Sequence, residues 1–238
     1  MIRFLMMAAL LLAPVSTLRA EEALSAAQKE AVEALVKETI SNNGDLILQS
    51  VQKFQADEQA KRQAEGAENV KKEKQALFHD SSQPFAGNKK GKKVAAEFFD
   101  YNCGYCKKSI DAVAKLIEDN KDLKFVFVEL PILSPSSNLA ARYALAANKQ
   151  GKYWEYHQAL MHFQGEKNEE TLTKMAEEVG LNVDKLKKDA ESDAVKKRLE
   201  QNQQLAQKLG ISGTPAFVIG ETLMPGAVPV ETMQDALK

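Results

Sequence analysis

The sequence predicts an α/β fold cut in two by a block of helices and preceded by a long helical appendage. Three observations predict it. Two short runs of β-branched and aromatic residues, Val94 to Phe99 and Leu123 to Glu129, flank one amphipathic helix, which is the pattern of a βαβ unit with parallel strands and a right-handed crossover. A second strand pair, Ala216 to Ile219 and Leu223 to Met224, turns across Gly220-Glu221 near the C-terminus. The stretch between, about 138–210, reads as helix after helix.

Taken from the N-terminus, Arg3 precedes an apolar run from Phe4 to Val15, then Ser16-Thr17-Leu18-Arg19-Ala20 and Glu21-Glu22. That is the layout of a secretory signal occupying residues 1–20, cleaved after Ala20, and it implies a periplasmic protein in an oxidising compartment. The apolar run is shorter than the ~20 residues that cross a bilayer as a helix. From Ser25 to Ile40, the spacing of Val32, Leu35, Val36 and Ile40 predicts an amphipathic helix capped by Ser25 and ended at Asn42-Asn43-Gly44. A longer helix follows from near Asp45 to about Phe78. Its first turns carry Leu46, Ile47, Val51 and Phe54, whereas beyond Ala56 it is mostly Gln, Lys, Glu and Ala, with Gly66 in the middle, and buries little alone. Heptad spacing from Ala56 runs through Ala60, Gln63, Ala67, Val70, Lys74 and Leu77, too thin for a strong coiled coil. Residues 21–80 are therefore expected to be an oligomerisation and stalk region, a homo-oligomer forming through residues 24–54 while the polar helix holds each catalytic domain away. The alternative is a cap folded back on its own domain, or a partly disordered leader.

The catalytic domain is expected over residues 84–238, after the loops Ser81-Ser82-Gln83-Pro84 and Gly87 to Gly91. The helix from Lys107 to Ile117 places Ile110, Val113, Leu116 and Ile117 on one face. After the second strand, Pro131 and Pro135 break the chain. Helices then read over Asn138 to Gln150, Lys152 to Phe163, Glu169 to Val179, Val183 to Ala190 with Asn182 as cap, and Asp193 to Leu209, before the hairpin and a closing helix from Val230 to Leu237. Tyr153, Trp154, Tyr156 and His157 are read as core of the inserted helix rather than a peptide site.

The only two cysteines, Cys103 and Cys106, stand two residues apart at the end of the first strand. Haem attachment would need histidine at position 107, where Lys107 stands. Zinc would need further ligands, and His79, His157 and His162 show no ligand spacing, so no metal site is assigned. A structural disulfide is the alternative to a redox pair, but so short a loop removes little unfolded-state entropy. Cys103 lies at a helix start, where unpaired N–H groups and the helix dipole favour the thiolate. That makes it the candidate nucleophile and a good leaving group, with Cys106, one turn in, as the resolving thiol. Charge is nearly balanced, 32 Lys and Arg against 33 Asp and Glu, which argues against nucleic acid as a partner.

Three motifs in order, Glu97-Phe98-Phe99-Asp100-Tyr101-Asn102-Cys103-Gly104-Tyr105-Cys106, Gly151 to His157, and Gly213-Thr214-Pro215-Ala216-Phe217-Val218, resemble the DsbA family of periplasmic thiol–disulfide oxidoreductases. The likeness is closest to the ScsC-like members with an extra N-terminal oligomerisation segment. The resemblance implies a thioredoxin fold with an inserted helical domain, a redox-active Cys103–Cys106 disulfide and no other cofactor. It also implies a cis-proline at Pro215 opposite the dithiol, with an ordinary trans turn as the alternative. Gly104, Tyr105, Thr214 and Pro215 would then contact substrate. Glu97 matches a buried glutamate beneath the dithiol; it is either a proton relay to Cys106 or a paired core charge. Where the family's strong oxidase has Pro-His between its cysteines, this chain has Gly104-Tyr105. With Thr214 before the proline, that resembles the oligomeric isomerase DsbC. The implied function is disulfide isomerase or reductase, with dithiol oxidase as the alternative and Cu(I) binding by the two thiolates as a second. The implied partners are unfolded or misdisulfided secreted proteins and a DsbD-like or DsbB-like membrane redox protein.

Overall fold

Ser25 and Gln28 exchange side-chain and backbone hydrogen bonds in a capping box, and helix α1 starts directly behind it, spanning Ala26–Asn42. Helix α2, Gly44–Phe78, follows after one residue. The remaining elements are β1 (Phe85–Gly87), β2 (Lys93–Phe99), α3 (Gly104–Asp119), β3 (Leu123–Glu129), α4 (Pro135–Asn148), α5 (Tyr153–His162), α6 (Glu169–Glu178), α7 (Val183–Ala190), α8 (Asp193–Lys208), β4 (Ala216–Ile219), β5 (Thr222–Pro225) and α9 (Val230–Ala236). The computed structural model describes residues 24–238, so the expected signal, residues 1–20, lies outside the described residues. No described helix is long and apolar enough to cross a membrane. The chain divides into two units, residues 1–56 and 57–238.

Within the larger unit the sheet has the order β1-β3-β2-β4-β5. Strands β2 and β3 are parallel, as the βαβ reading requires, with Glu97 opposite Phe127 and Phe99 opposite Glu129. Strand β4 pairs antiparallel to β2 and β5 antiparallel to β4. This is a thioredoxin-like fold with a helical insert. Two local expectations change. Strand β1 is absent from the predicted elements, because three residues carry no periodicity; it lies antiparallel to β3, Phe85 against Val126. Pro135 does not break the chain but opens α4, where its missing N–H forfeits no helical bond, behind the N-cap Ser134.

Alternation along the strands gives the sheet two apolar faces. One carries Phe99, Phe125 and Phe127 against Ile110, Val113 and Leu116 of α3 and Tyr156 and Leu160 of α5. The other carries Ala96, Phe98, Val126, Val128 and Val218, and meets Leu205 and Leu209 together with Val70, Leu77 and Phe78 of α2. The end of α2 therefore does not stand clear as a polar stalk. Val70, Leu77 and Phe78 have no solvent exposure. Val70 and Leu77, seven apart, share a helix face, and the apolar partner of that face is the sheet. In the smaller unit, by contrast, every described residue is exposed, Leu35 to 63% and Phe54 to 66%.

Gly66 sits mid-helix at a buried position of α2. A Cβ there would meet only Leu223, at 3.6 Å, an ordinary contact. Gly66→Ala is expected to raise stability by up to ~1 kcal/mol, the helical cost of glycine relative to alanine, as a higher thermal midpoint; a lower midpoint would show that the close approach to Leu223 needs the glycine.

Candidate active site

Strand β2 ends at Phe99 and delivers four residues, Asp100 to Cys103, to the start of α3. Their conformation is fixed by a buried carboxylate. Asp100, 1% exposed, accepts from the Asn102 N–H at 2.7 Å, the Ile132 and Leu133 N–H groups at 2.9 and 3.0 Å, and the Ser137 hydroxyl at 2.7 Å. Asn102 Nδ2 lies 2.9 Å from the hydroxyls of Ser134, Ser136 and Ser137, and its Oδ1 accepts from Lys167 Nζ at 3.2 Å. Burial and the neighbouring Lys107 pull the Lys167 ammonium down to about 8. The loops before α4 and α6 are thus tied to the residue preceding the first cysteine. The motif containing Asp100 and Asn102 was visible in the sequence, but their role was not; the serine run 134–137 was the available signal.

Cys103 is the N-cap of α3, with extended backbone at φ −74° and ψ 116°. Its Sγ lies 3.2 Å from the Thr214 carbonyl oxygen, to which the thiol donates, and the Thr214–Pro215 bond is cis. The fold thus brings Cys103, Cys106, Thr214 and Pro215 together. Burial by itself would raise the Cys103 thiol, but hydrogen bonding with Thr214, Cys106 and the Tyr105 backbone outweighs it and leaves the pKa below the ordinary cysteine value. Cys106, 1% exposed, moves the other way: burial, then the nearby Glu97 carboxylate, push its thiol far up. Both cysteines are free thiols. Between them, Tyr105 is 64% exposed, and a Cβ on Gly104 would meet nothing within 4 Å. Cys103 itself is 7% exposed, more than Cys106.

Glu97 lies beneath the pair, 1% exposed. Burial, reinforced by Cys103, holds its carboxyl well above the usual range, and its Oε1 has no hydrogen-bond partner. Among the described residues no cation lies in a salt bridge with it. A second buried carboxyl, Glu129, accepts from Tyr153 and Tyr101 at 2.7 and 2.9 Å, while Tyr101 also meets His157 Nδ1 at 3.0 Å. His157, packed among Phe99, Phe127 and Tyr153, is held neutral by burial, its pKa about 3. The aromatic cluster is core, as expected.

In the reduced protein, Glu97 keeps its proton in the folded state to a pH at which the unfolded chain, with its carboxyl near 4.5, has released it. Its contribution to stability is therefore present below that value and lost as pH rises toward the folded pKa. Glu97→Gln removes this loss, so the variant's stability relative to the parent should grow with pH above 4.5, by at most ~1.4 kcal/mol per pH unit, the slope of one proton. Denaturant midpoints across that range that run parallel would show Glu97 to be ionised in both states.

Residues 95–238 match the DSBA-like thioredoxin domain family. Among solved structures, a thioredoxin-like oxidoreductase from Silicibacter pomeroyi DSS-3 is 43% identical, covers 68% of this chain and 94% of its own, and superposes with a TM-score of 0.66. The Proteus mirabilis ScsC in a transitional conformation is 31% identical with a TM-score of 0.66, covering 90% of this chain and 95% of its own. That share takes the likeness beyond the α/β domain into the N-terminal helices. A curated relative, the Na(+)/H(+) antiporter NhaA 3 of Salinispora tropica, is 28% identical over 153 residues, 63% of this chain; the chain spans only 24% of that relative's length.

Proposed function

This chain belongs to the DSBA-like thioredoxin domain family, the thiol–disulfide oxidoreductases, and from that premise we propose that it is a protein disulfide isomerase and reductase acting through Cys103 and Cys106 in a periplasmic compartment. The observation that carries the reading is the opposed setting of the two thiols: Cys103, 7% exposed at the helix start beside the exposed Tyr105, is lowered in pKa, whereas Cys106, 1% exposed, is raised. The Cys103 thiolate attacks a substrate disulfide, forming a Cys103–substrate mixed disulfide and releasing one substrate thiolate. In isomerisation another substrate thiol attacks that bond and Cys103 leaves unchanged. In reduction Cys106, its proton passed to Glu97 directly or through water, attacks Cys103 Sγ; the substrate leaves with two thiols and the protein holds the Cys103–Cys106 disulfide, which a membrane redox partner then reduces.

The direction rests on three features. No histidine stands between the cysteines to stabilise the thiolate further, Gly104-Tyr105 and Thr214 match the isomerase-like pattern, and the smaller unit presents an unbroken series of exposed apolar side chains, Leu35, Ile40, Ile47 and Phe54 among them. Burying such a series between protomers is the simplest use of it, and an assembly can hold one substrate between several dithiols. Recovery of activity from a scrambled multi-disulfide substrate, measured beside molar mass by light scattering, tests the reading. Isomerisation by an oligomer supports it; a monomer that only oxidises dithiols overturns it in favour of a plain oxidase.

A further inference from the structure

Beside Thr214 and Pro215, a cleft of about 660 Å³ separates the 59–69 stretch of α2 from the β4–β5 hairpin and the end of α8. Its walls differ in chemistry. The α2 wall carries Arg62 and Glu65 together with the polar side chains of Gln59, Gln63 and Asn69, and none of these three amides hydrogen-bonds elsewhere among the described residues. Leu209, Leu223 and Pro225 line the opposite wall. On the rim, the N–H groups of Ser212, Gly213 and Thr214 have no acceptor among the described residues.

We propose that this cleft seats the stretch of substrate polypeptide flanking the reacting cysteine, and that α2 is thereby part of the substrate site. The inference rests on the thiol-exchange reading above and adds to it where, and by what, the substrate is held. An extended polypeptide suits the lining: main-chain amides meet Gln59, Gln63 and Asn69, alternate side chains meet the apolar wall, and the free N–H groups of 212–214 donate to a strand's carbonyls at the rim. The cleft also adjoins the sulfur site, since Thr214 lines it and the Thr214 carbonyl lies 3.2 Å from Cys103 Sγ. A chain whose cysteine sits at Cys103 therefore has this cleft beside it, whereas a disulfide as small as oxidised glutathione has too few residues to follow it. The helix that the sequence presents as a spacer thus contributes recognition.

The test uses the full chain and two probes, an extended peptide with an intermolecular disulfide and oxidised glutathione. Gln63→Trp, at an exposed position, fills the cleft. The ratio of peptide to glutathione exchange rates is expected to fall about tenfold, the worth of one or two lost contacts. Independently of that variant, the peptide mixed disulfide trapped on Cys106→Ser should slow hydrogen exchange across residues 59–69. An unchanged ratio together with unchanged exchange there overturns the inference while leaving the thiol chemistry standing. Wild-type protein inert to both probes overturns the functional reading and this inference with it.

Discussion

Cys103→Ser is expected to reduce thiol–disulfide exchange to the uncatalysed rate, while Cys106→Ser should leave the first attack intact and halt at a mixed disulfide with substrate. The asymmetry follows from where each sulfur sits. Cys103 caps α3, donates its thiol to the Thr214 carbonyl, is hydrogen-bonded with Cys106 and the Tyr105 backbone, and is the lower of the two in pKa. It is the sulfur whose thiolate is the more favoured of the two. Cys106 is buried with Glu97 beside it and its thiol is pushed far up, so it reacts only when handed an adjacent disulfide and a base. Alkylation against pH should show Cys103 half-ionised below the ordinary thiol range, and intact mass should show the substrate adduct accumulating on Cys106→Ser. Faster alkylation of Cys106 than of Cys103 would reverse the two roles.

The second large effect concerns where the chain is cut. Removal of residues 24–56 is expected to leave a folded, redox-active monomer whose isomerisation falls sharply while dithiol oxidation persists, because a lone domain holds no substrate between sites. Removal through Phe78 should be far more damaging. It strips Val70, Leu77 and Phe78 from the second face of the sheet, and losing even one buried phenylalanine side chain costs ~3–5 kcal/mol, a large share of the ~5–15 kcal/mol that holds a domain together. Circular dichroism and light scattering on both truncations distinguish the cases. A chain lacking 24–78 that melts like the parent would show the α2 contacts to be superficial; one lacking 24–56 that isomerises at the parent rate would remove the assembly from the mechanism.

What could be read without coordinates was whatever has a local cause. The βαβ unit, the hairpin and the helix caps at Ser25 and Asn182 follow from periodicity and from side chains that bond a few residues away. The dithiol was legible because two sulfurs at a strand end have few other uses. What stayed hidden was non-local. The polar stretch beyond Ala56 looked like a spacer because its apolar residues, Val70 and Leu77, are sparse, and only the sheet to which they dock shows what that sparse face is for. The role of Asp100 has no local signal, since its donors Ile132, Leu133 and Ser137 lie over thirty positions away. Strand β1 exists only by virtue of β3.

Those distant ties to Asp100 and Asn102 make the site a property of the whole domain and not of a four-residue motif. Cys-Gly-Tyr-Cys grafted onto the end of a strand in another protein would bring its sulfurs but leave behind the serines, the lysine and the loop amides that hold the preceding turn in shape. The motif is not portable. Conversely, this chain's chemistry can be retuned without touching a cysteine, by substitutions at Ser137 in α4 or at Lys167 in the loop before α6, that shift the ground on which Cys103 stands.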